Sequence, residues 1–295
     1  MVLARDERDR LRLRWFPLAL AELLPLALER GIETEVVRTL IGECDLRPSH
    51  PLLEAWPWPV RIYTLGRFEV HVDDKPIEFG RKAPKRTLAL LKAIIAFGGK
   101  DVPEQRLADA LWPEQEGDAA HESFAAALHR LRRLLGANQV ILQSNGMLSL
   151  DPECCFVDAW AFETGLEQPG KEHAALRLYR GGFLQGDPDA HWTVSLRERL
   201  RSKFVRAVQA AAQRLEAEDR YEEAIELYSR GLEADDLVEP FYQGLMRSYR
   251  SLGRAAEATA TFRRLSRTLA ASLALDPSVE SQRLFEAVSG ARTGA

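Results

Sequence analysis

Between residues 61 and 150 the apolar pattern changes period twice, and each change dictates the kind of backbone that can bury it. From Arg61 the segments RIYTLG, RFEVHV and KPIEF alternate with a period of two, as half-buried strands do, with Asp73 and Asp74 as a turn. Three stretches with the helical repeat of about 3.6 residues follow: Thr87 to Phe97, Glu104 to Leu111 and Ala119 to Leu135. The period then returns to two in QVILQSNGMLSL, where Asn145-Gly146 is a hairpin dipeptide because both positions accept positive φ.

The third helical stretch, AAHESFAAALHRLRRLLG, has two unlike faces. Ala120, Phe124, Ala127, Leu128, Leu131 and Leu135 fall on one side of the wheel, and Glu122, Ala126, His129, Arg130 and Arg133 on the other. Small residues thus precede cationic ones on a face left over once the apolar side is buried, which is what a helix entering a nucleic-acid groove requires. A small antiparallel sheet, three helices and a closing hairpin together describe a winged helix-turn-helix.

On either side the composition changes. Residues 2 to 41 carry apolar residues at helical spacing and are expected to form short helices broken at Pro17, Pro25 and Gly31. RPSHPLLEAWPWP has four prolines by residue 59, which restricts it to extended and turn conformations and marks a boundary. After Asp151-Pro152 the chain reads as almost wholly helical, starting at Asp158 as an N-cap. DRYEEAIELYSRGL at 219 and GRAAEATATFRRL at 253 align at a shift of 34, the tetratricopeptide period, bringing Ala224 onto Ala258 and Tyr228 onto Phe262. Ala175 and Tyr179 have the same internal spacing in an earlier helix pair. Tyr221, Tyr228, Phe241, Tyr242, Tyr249 and Phe262 read as the core of these repeats, and the tryptophans as packing sites. The expected architecture is α+β in three parts: a short helical segment and linker over 1–58, the winged helix over 59–151, and an all-α tetratricopeptide-like domain over 156–290.

Charge and motif content narrow the function. The net charge of −4 excludes a uniformly cationic surface, so any nucleic-acid contact must come from local clusters, RKAPKR at 81–86 and HRLRR at 129–133. Cys44, Cys154 and Cys155 show no CxxC and no metal-ligand spacing, and no two histidines have the i, i+4 spacing of a zinc helix, so neither a disulfide nor a metal site is expected. The opening MVLARDERDRLRLRW is too charged for a signal peptide, and no apolar run approaches the roughly 18 residues of a membrane span, so a cytoplasmic protein without a membrane partner is expected. GxxxxGK[ST], GxGxxG and GxSxG are all absent, so no enzyme activity and no cofactor are expected.

LGRFEV, then FGRKAPKRTLALLKAI, LADALWP, LHRLRRLLG and a wing ending LSLD resemble, in that order, the OmpR/PhoB-type winged helix. The helical half, with YRGGFL and the offset repeats, resembles the bacterial transcriptional activator domain of SARP-type regulators, and the two together cover about residues 60–290. AWPWPVRIYTLG also resembles the junction in large MalT-like regulators, in which case this chain is a C-terminal portion or a short relative without the upstream motor. The resemblance implies double-stranded DNA as ligand, with the third helix in the major groove and the wing against neighbouring backbone. Carried onto matching positions, it makes Arg130 and Arg133, with His129 beside them, the contacts to bases or phosphates. Ser123 and Ala126 would matter by being small, and Lys85 and Arg86 suit phosphate at a helix start. The wing tip, Gln143 to Met147, lacks Lys and Arg, so Ser144 or Asn145 is left to hydrogen-bond to the backbone. The acidic Glu114–Asp118 segment sits where relatives carry a loop that can meet RNA polymerase; polymerase or another protein, and a second copy of the chain, are the implied protein partners. A rival reading is a non-catalytic interaction scaffold built on the tetratricopeptide-like repeats. It is favoured by the near balance of 13 Lys and Arg over 61–133 against 11 Asp and Glu over 69–122.

Overall fold

The computed structural model describes residues 17–44, 46–48, 50–78, 85–115, 117–136, 140–187 and 190–290. Arg81 and Lys82 of the first basic cluster, and Glu116 of the acidic segment, lie outside them. The described chain divides into two compact units, the first running up to Thr64 and including Phe68–Gly165 and Gly186–Leu196, the second comprising Leu65–Arg67, Leu166–Gln185 and the chain from Arg197 onward.

The first unit opens with α1 (Pro17–Glu29) and α2 (Thr34–Glu43). Pro25 does not break α1 as its sequence position suggests but lies inside it. A prolyl ring within a helix costs about 3 kcal/mol, and burial of Leu20, Leu24, Ala27 and Leu28 around it offsets that penalty. Arg38 of α2 reaches Asp74 at 2.8 Å, and Arg61 reaches the other oxygen of the same carboxylate at 2.7 Å. The Pro-rich tract that follows α2 buries Leu53, Trp56 and Trp58, and the Trp58 indole donates to the Leu53 carbonyl at 2.7 Å.

Strands β1 (Val60–Tyr63), β2 (Glu69–Val72) and β3 (Lys75–Pro76) pair antiparallel, with Val60 opposite Val72 and His71 opposite Pro76. Asp73 and Asp74 take φ of 47° and 65°, the left-handed pair that a two-residue hairpin turn needs. Next come α3 (Lys85–Ala96), β4 (Val102–Pro103), α4 (Glu104–Leu111), α5 (Gly117–Leu134), β5 (Ile141–Ser144), β6 (Met147–Leu150) and β7 (Cys155–Val157). Two short strands complete both sheets: β7 joins β1 in parallel to give the order β3-β2-β1-β7, and β4 pairs with β6 to give β4-β6-β5. Neither is legible in the sequence, because two or three residues are too few to show a period.

Helix α6 (Asp158–Glu167) starts where expected, and its first residue does more than cap. The buried Asp158 carboxylate accepts from the Ala159 N–H at 2.8 Å, from the Thr64 N–H at 2.8 Å and from the Thr64 hydroxyl at 2.6 Å. A carboxylate buried this deeply is tolerable only with such a set of donors, and it pins the start of α6 to the end of β1.

The second unit contains α7 (Glu172–Leu178), most of α8 (Val194–Ala217), α9 (Tyr221–Ala234), α10 (Glu239–Ser251), α11 (Ala255–Leu273) and α12 (Val279–Gly290), with α9 to α12 each packed on the next. Ala224 and Ala258, equivalent at the shift of 34, are both fully buried. Tyr228 is buried too, whereas Phe262 is half-buried and stacks on Phe285 at 4.4 Å. The α9–α10 contact is reciprocal: a methyl group at Gly244 would meet the Tyr228 ring at 2.2 Å, and one at Gly231 the Phe241 ring at 2.8 Å. Each glycine is the hole for an aromatic ring of the other helix. The next joint is polar. Glu239 accepts from the Ser278 N–H at 2.8 Å and the Ser281 hydroxyl at 2.6 Å, which caps α12. Burial works against the ionised form of Glu239, but these hydrogen bonds outweigh it and hold the carboxyl below the usual glutamate range.

Gly244→Ala should therefore lower stability by about 3 kcal/mol, the range for overpacking a tight core. Gly42→Ala, in α2 with open space around it, should be neutral or stabilising by up to about 1 kcal/mol; denaturant unfolding of both variants measures the contrast. Because the Glu239 carboxyl is lowered in the folded state, its contribution is fully present above the unfolded-state value and is lost as pH falls through the folded one. The stability difference between wild type and Glu239→Gln should accordingly be constant near neutrality and shrink once the pH drops below about 4, as unfolding midpoints across that range will show.

Candidate nucleic-acid interface

Helix α5 packs on α3 and α4 through Ala120, Phe124, Ala127, Leu128 and Leu131, all buried, with Leu135 just beyond its end buried as well. Burial of each large side chain is worth about 1.5–3 kcal/mol, so this face seats the helix firmly. Its opposite face is open. Glu122, Ala126, His129, Arg130 and Arg133 are all exposed, and Ser123 is half-buried beside them. No carboxylate among the described residues pairs with Arg130 or Arg133, so their guanidinium donors are available to an outside acceptor.

The residues expected to contact DNA from elsewhere sit at two further places. Lys85 and Arg86 are exposed in the first turn of α3. The Arg86 guanidinium also donates to the Leu111 carbonyl at the end of α4, so part of its hydrogen-bonding capacity already serves the fold. Asn145 lies at the exposed tip of the β5–β6 hairpin with φ of 51°, followed by Gly146 at 71°, which makes the wing a tight two-residue turn.

What joins α5 to the wing is a relay that the local pattern does not reveal. Arg132 donates to the Gln143 side-chain oxygen at 2.8 Å, and the Gln143 amide donates to the Glu104 carboxylate at 2.7 Å. These three residues, with His129 and Phe124, line a cleft of about 190 Å³ between α5, α4 and the wing. Within the HRLRR cluster, then, the arginines have separate tasks: Arg132 ties the helix to β5, while Arg130 and Arg133 point away from the body of the unit. The partners lie 11 and 39 residues apart, so no periodicity argument could have paired them. Among the described residues no group of His, Cys, Asp and Glu could hold a metal ion, and no helix is long and apolar enough to cross a membrane.

A winged helix with its third helix exposed, followed in sequence by packed helices, is the arrangement that the sequence resemblance implies. Residues 167–289 match the family described as the bacterial transcriptional activator domain. The chain is 26% identical over 243 residues to the transcriptional regulatory protein EmbR of Mycobacterium bovis and of Mycobacterium tuberculosis, covering 76% of this chain and 62% of theirs. The solved structure of Mycobacterium tuberculosis EmbR in complex with a low-affinity phosphopeptide matches with a TM-score of 0.54 at 24% identity, over 79% of this chain and 65% of that one. This supports the mixed α+β fold. The chain spans less than two thirds of the length of the relatives it matches.

If the relay stiffens the wing, Arg132→Ala should accelerate hydrogen exchange in residues 141–150 by an amount equivalent to about 1 kcal/mol, the net worth of such a hydrogen bond. Exchange in α3 should be unchanged.

Proposed function

We propose that this chain is a DNA-binding transcriptional regulator, of the activator kind, that acts in the cytoplasm and reads duplex DNA with α5 in the major groove. The observation that supports this most strongly is the exposed stripe of α5, in which two arginines with no carboxylate partner among the described residues follow small side chains on a helix whose other side is locked into the core. A guanidinium grips guanine O6 and N7 with two donors in one plane, a geometry that lysine cannot reproduce. Ala126 and Ser123 let the helix backbone approach the bases. Lys85, and what remains of the Arg86 donors, would hold phosphate at the start of α3, where the helix dipole also favours an anion. Asn145 would touch the neighbouring backbone from the wing.

On this reading residues 59–151 are the DNA-binding module, residues 156–290 recruit RNA polymerase or a second copy of the chain, and helix α2 braces the winged helix through Arg38 and Asp74. The match of the helical half to the activator-domain family and the regulatory name of the relatives support that division of labour. The modest positive balance of the winged helix fits a protein whose affinity rests on a few placed cations.

Replacing Arg130 and Arg133 by Ala should weaken specific operator binding by about 1–3 kcal/mol per base-reading arginine and should leave circular dichroism unchanged. Where Lys85 contacts phosphate, Lys85→Ala should reduce the salt slope of binding by about one ion and weaken all sequences alike. Fluorescence anisotropy on operator fragments, recovered by selecting genomic DNA on the purified protein, measures both. Full specific retention by a folded double arginine variant would send the assignment back to the scaffold reading.

A further inference from the structure

The second unit contains a cavity of about 380 Å³ between α7, α8 and α9, within the range of about 300–1,000 Å³ typical of small-molecule sites. Its floor is apolar: Phe204, Val208 and Leu227 are buried, and Tyr179 stacks on Phe204 with ring centroids 4.0 Å apart. Its rim is cationic. Arg177, Arg180 and Arg230 line it and are exposed, and no carboxylate among the described residues pairs with any of them.

That lack of partners contrasts with the treatment of arginine nearby. Arg201 holds Asp235 at 2.6 Å, Arg220 holds Glu223 at 2.6 Å, and Arg254 holds Glu257 at 2.8 Å. Among the described residues that line the cavity, Glu233 is the one carboxylate beside three guanidinium groups, and the nearby Asp235 is held by Arg201. Tyr179 adds no negative charge, because burial, reinforced by Asp235, pushes its phenol up and keeps it protonated. Three like charges around a partly enclosed apolar floor repel one another, and a bound anion relieves that repulsion while accepting paired N–H donors from each planar fork.

We propose that this cavity binds a small organic anion, its phosphate or carboxylate gripped by Arg177, Arg180 and Arg230 and its apolar part resting on the floor formed by Phe204, Val208 and Leu227. The activator domain would then carry an effector site of its own. Neither the family match nor the names of the relatives assign one.

Titration calorimetry of the full chain with phenyl phosphate, benzoate, inorganic phosphate and benzyl alcohol tests it. Phenyl phosphate or benzoate should bind, and the stronger of the two identifies the head group. Inorganic phosphate should bind at least about ten-fold more weakly, and benzyl alcohol should give no heat. The triple variant Arg177→Gln, Arg180→Gln, Arg230→Gln removes only exposed charge, so it should keep its circular dichroism and melting profile while losing at least about ten-fold in affinity. The proposal is overturned by the absence of heat from both aryl anions at millimolar concentration, by equal affinity of the triple variant, or by inorganic phosphate binding as tightly as phenyl phosphate.

Discussion

The free face of α5 exists because its other face is so completely buried. Phe124, Leu128 and Leu131 sink against α3 and α4, and a helix has only one side to give to a core at this spacing. Once they are seated, the intervening positions must point outward whatever their chemistry. Arg130 and Arg133 occupy them, and no carboxylate among the described residues pairs with either, which is what the proposed DNA contact uses. Moving the apolar stripe by one residue would rotate the helix by about 100° and direct the arginines elsewhere.

The same economy recurs where a single group fixes two elements. Asp158 ends β7, begins α6 and holds Thr64 at the end of β1, so the parallel strand pair and the helix after it share one buried carboxylate. Asp74 serves Arg38 and Arg61 together, which fastens the N-terminal helices to the first sheet. In the helical half the fastening is steric: Tyr228 fills the space left by Gly244, and Phe241 that left by Gly231. These joints require specific residues because interiors pack as densely as organic crystals and leave no slack for a methyl group.

The winged helix was legible because its signals are local. The two-residue alternation around Val70, the Asn145-Gly146 turn and the apolar stripe of α5 each occupy a few consecutive residues, and the structure follows them to within a residue or two. Pro25 misled because the rule against proline in helices weighs only local backbone terms, the lost hydrogen bond and the ring's clash with the carbonyl one turn back, whereas here the buried leucines on both sides outweigh them. The strands β4 and β7 stayed hidden because they exist only through their partners. Of the candidate site, the exposed positions of α5 were legible from the wheel, and the assignment of Arg132 to the wing was not.

By itself the sequence determined which residues could face water and which could not, since periodicity and turn chemistry are properties of neighbouring residues. It therefore determined the helices and hairpins of the winged helix, the cationic stripe and the repeat, but not β4 or β7. Only the tertiary structure decided which charges find partners. Arg132 meets Gln143, Arg86 meets the Leu111 carbonyl, and Arg201 meets Asp235, while Arg130 and Arg133 on one helix and Arg177, Arg180 and Arg230 around one cavity have no carboxylate partner among the described residues. Pairing depends on distances of a few ångströms between residues far apart in the chain, which are set by packing and carry no periodic signature.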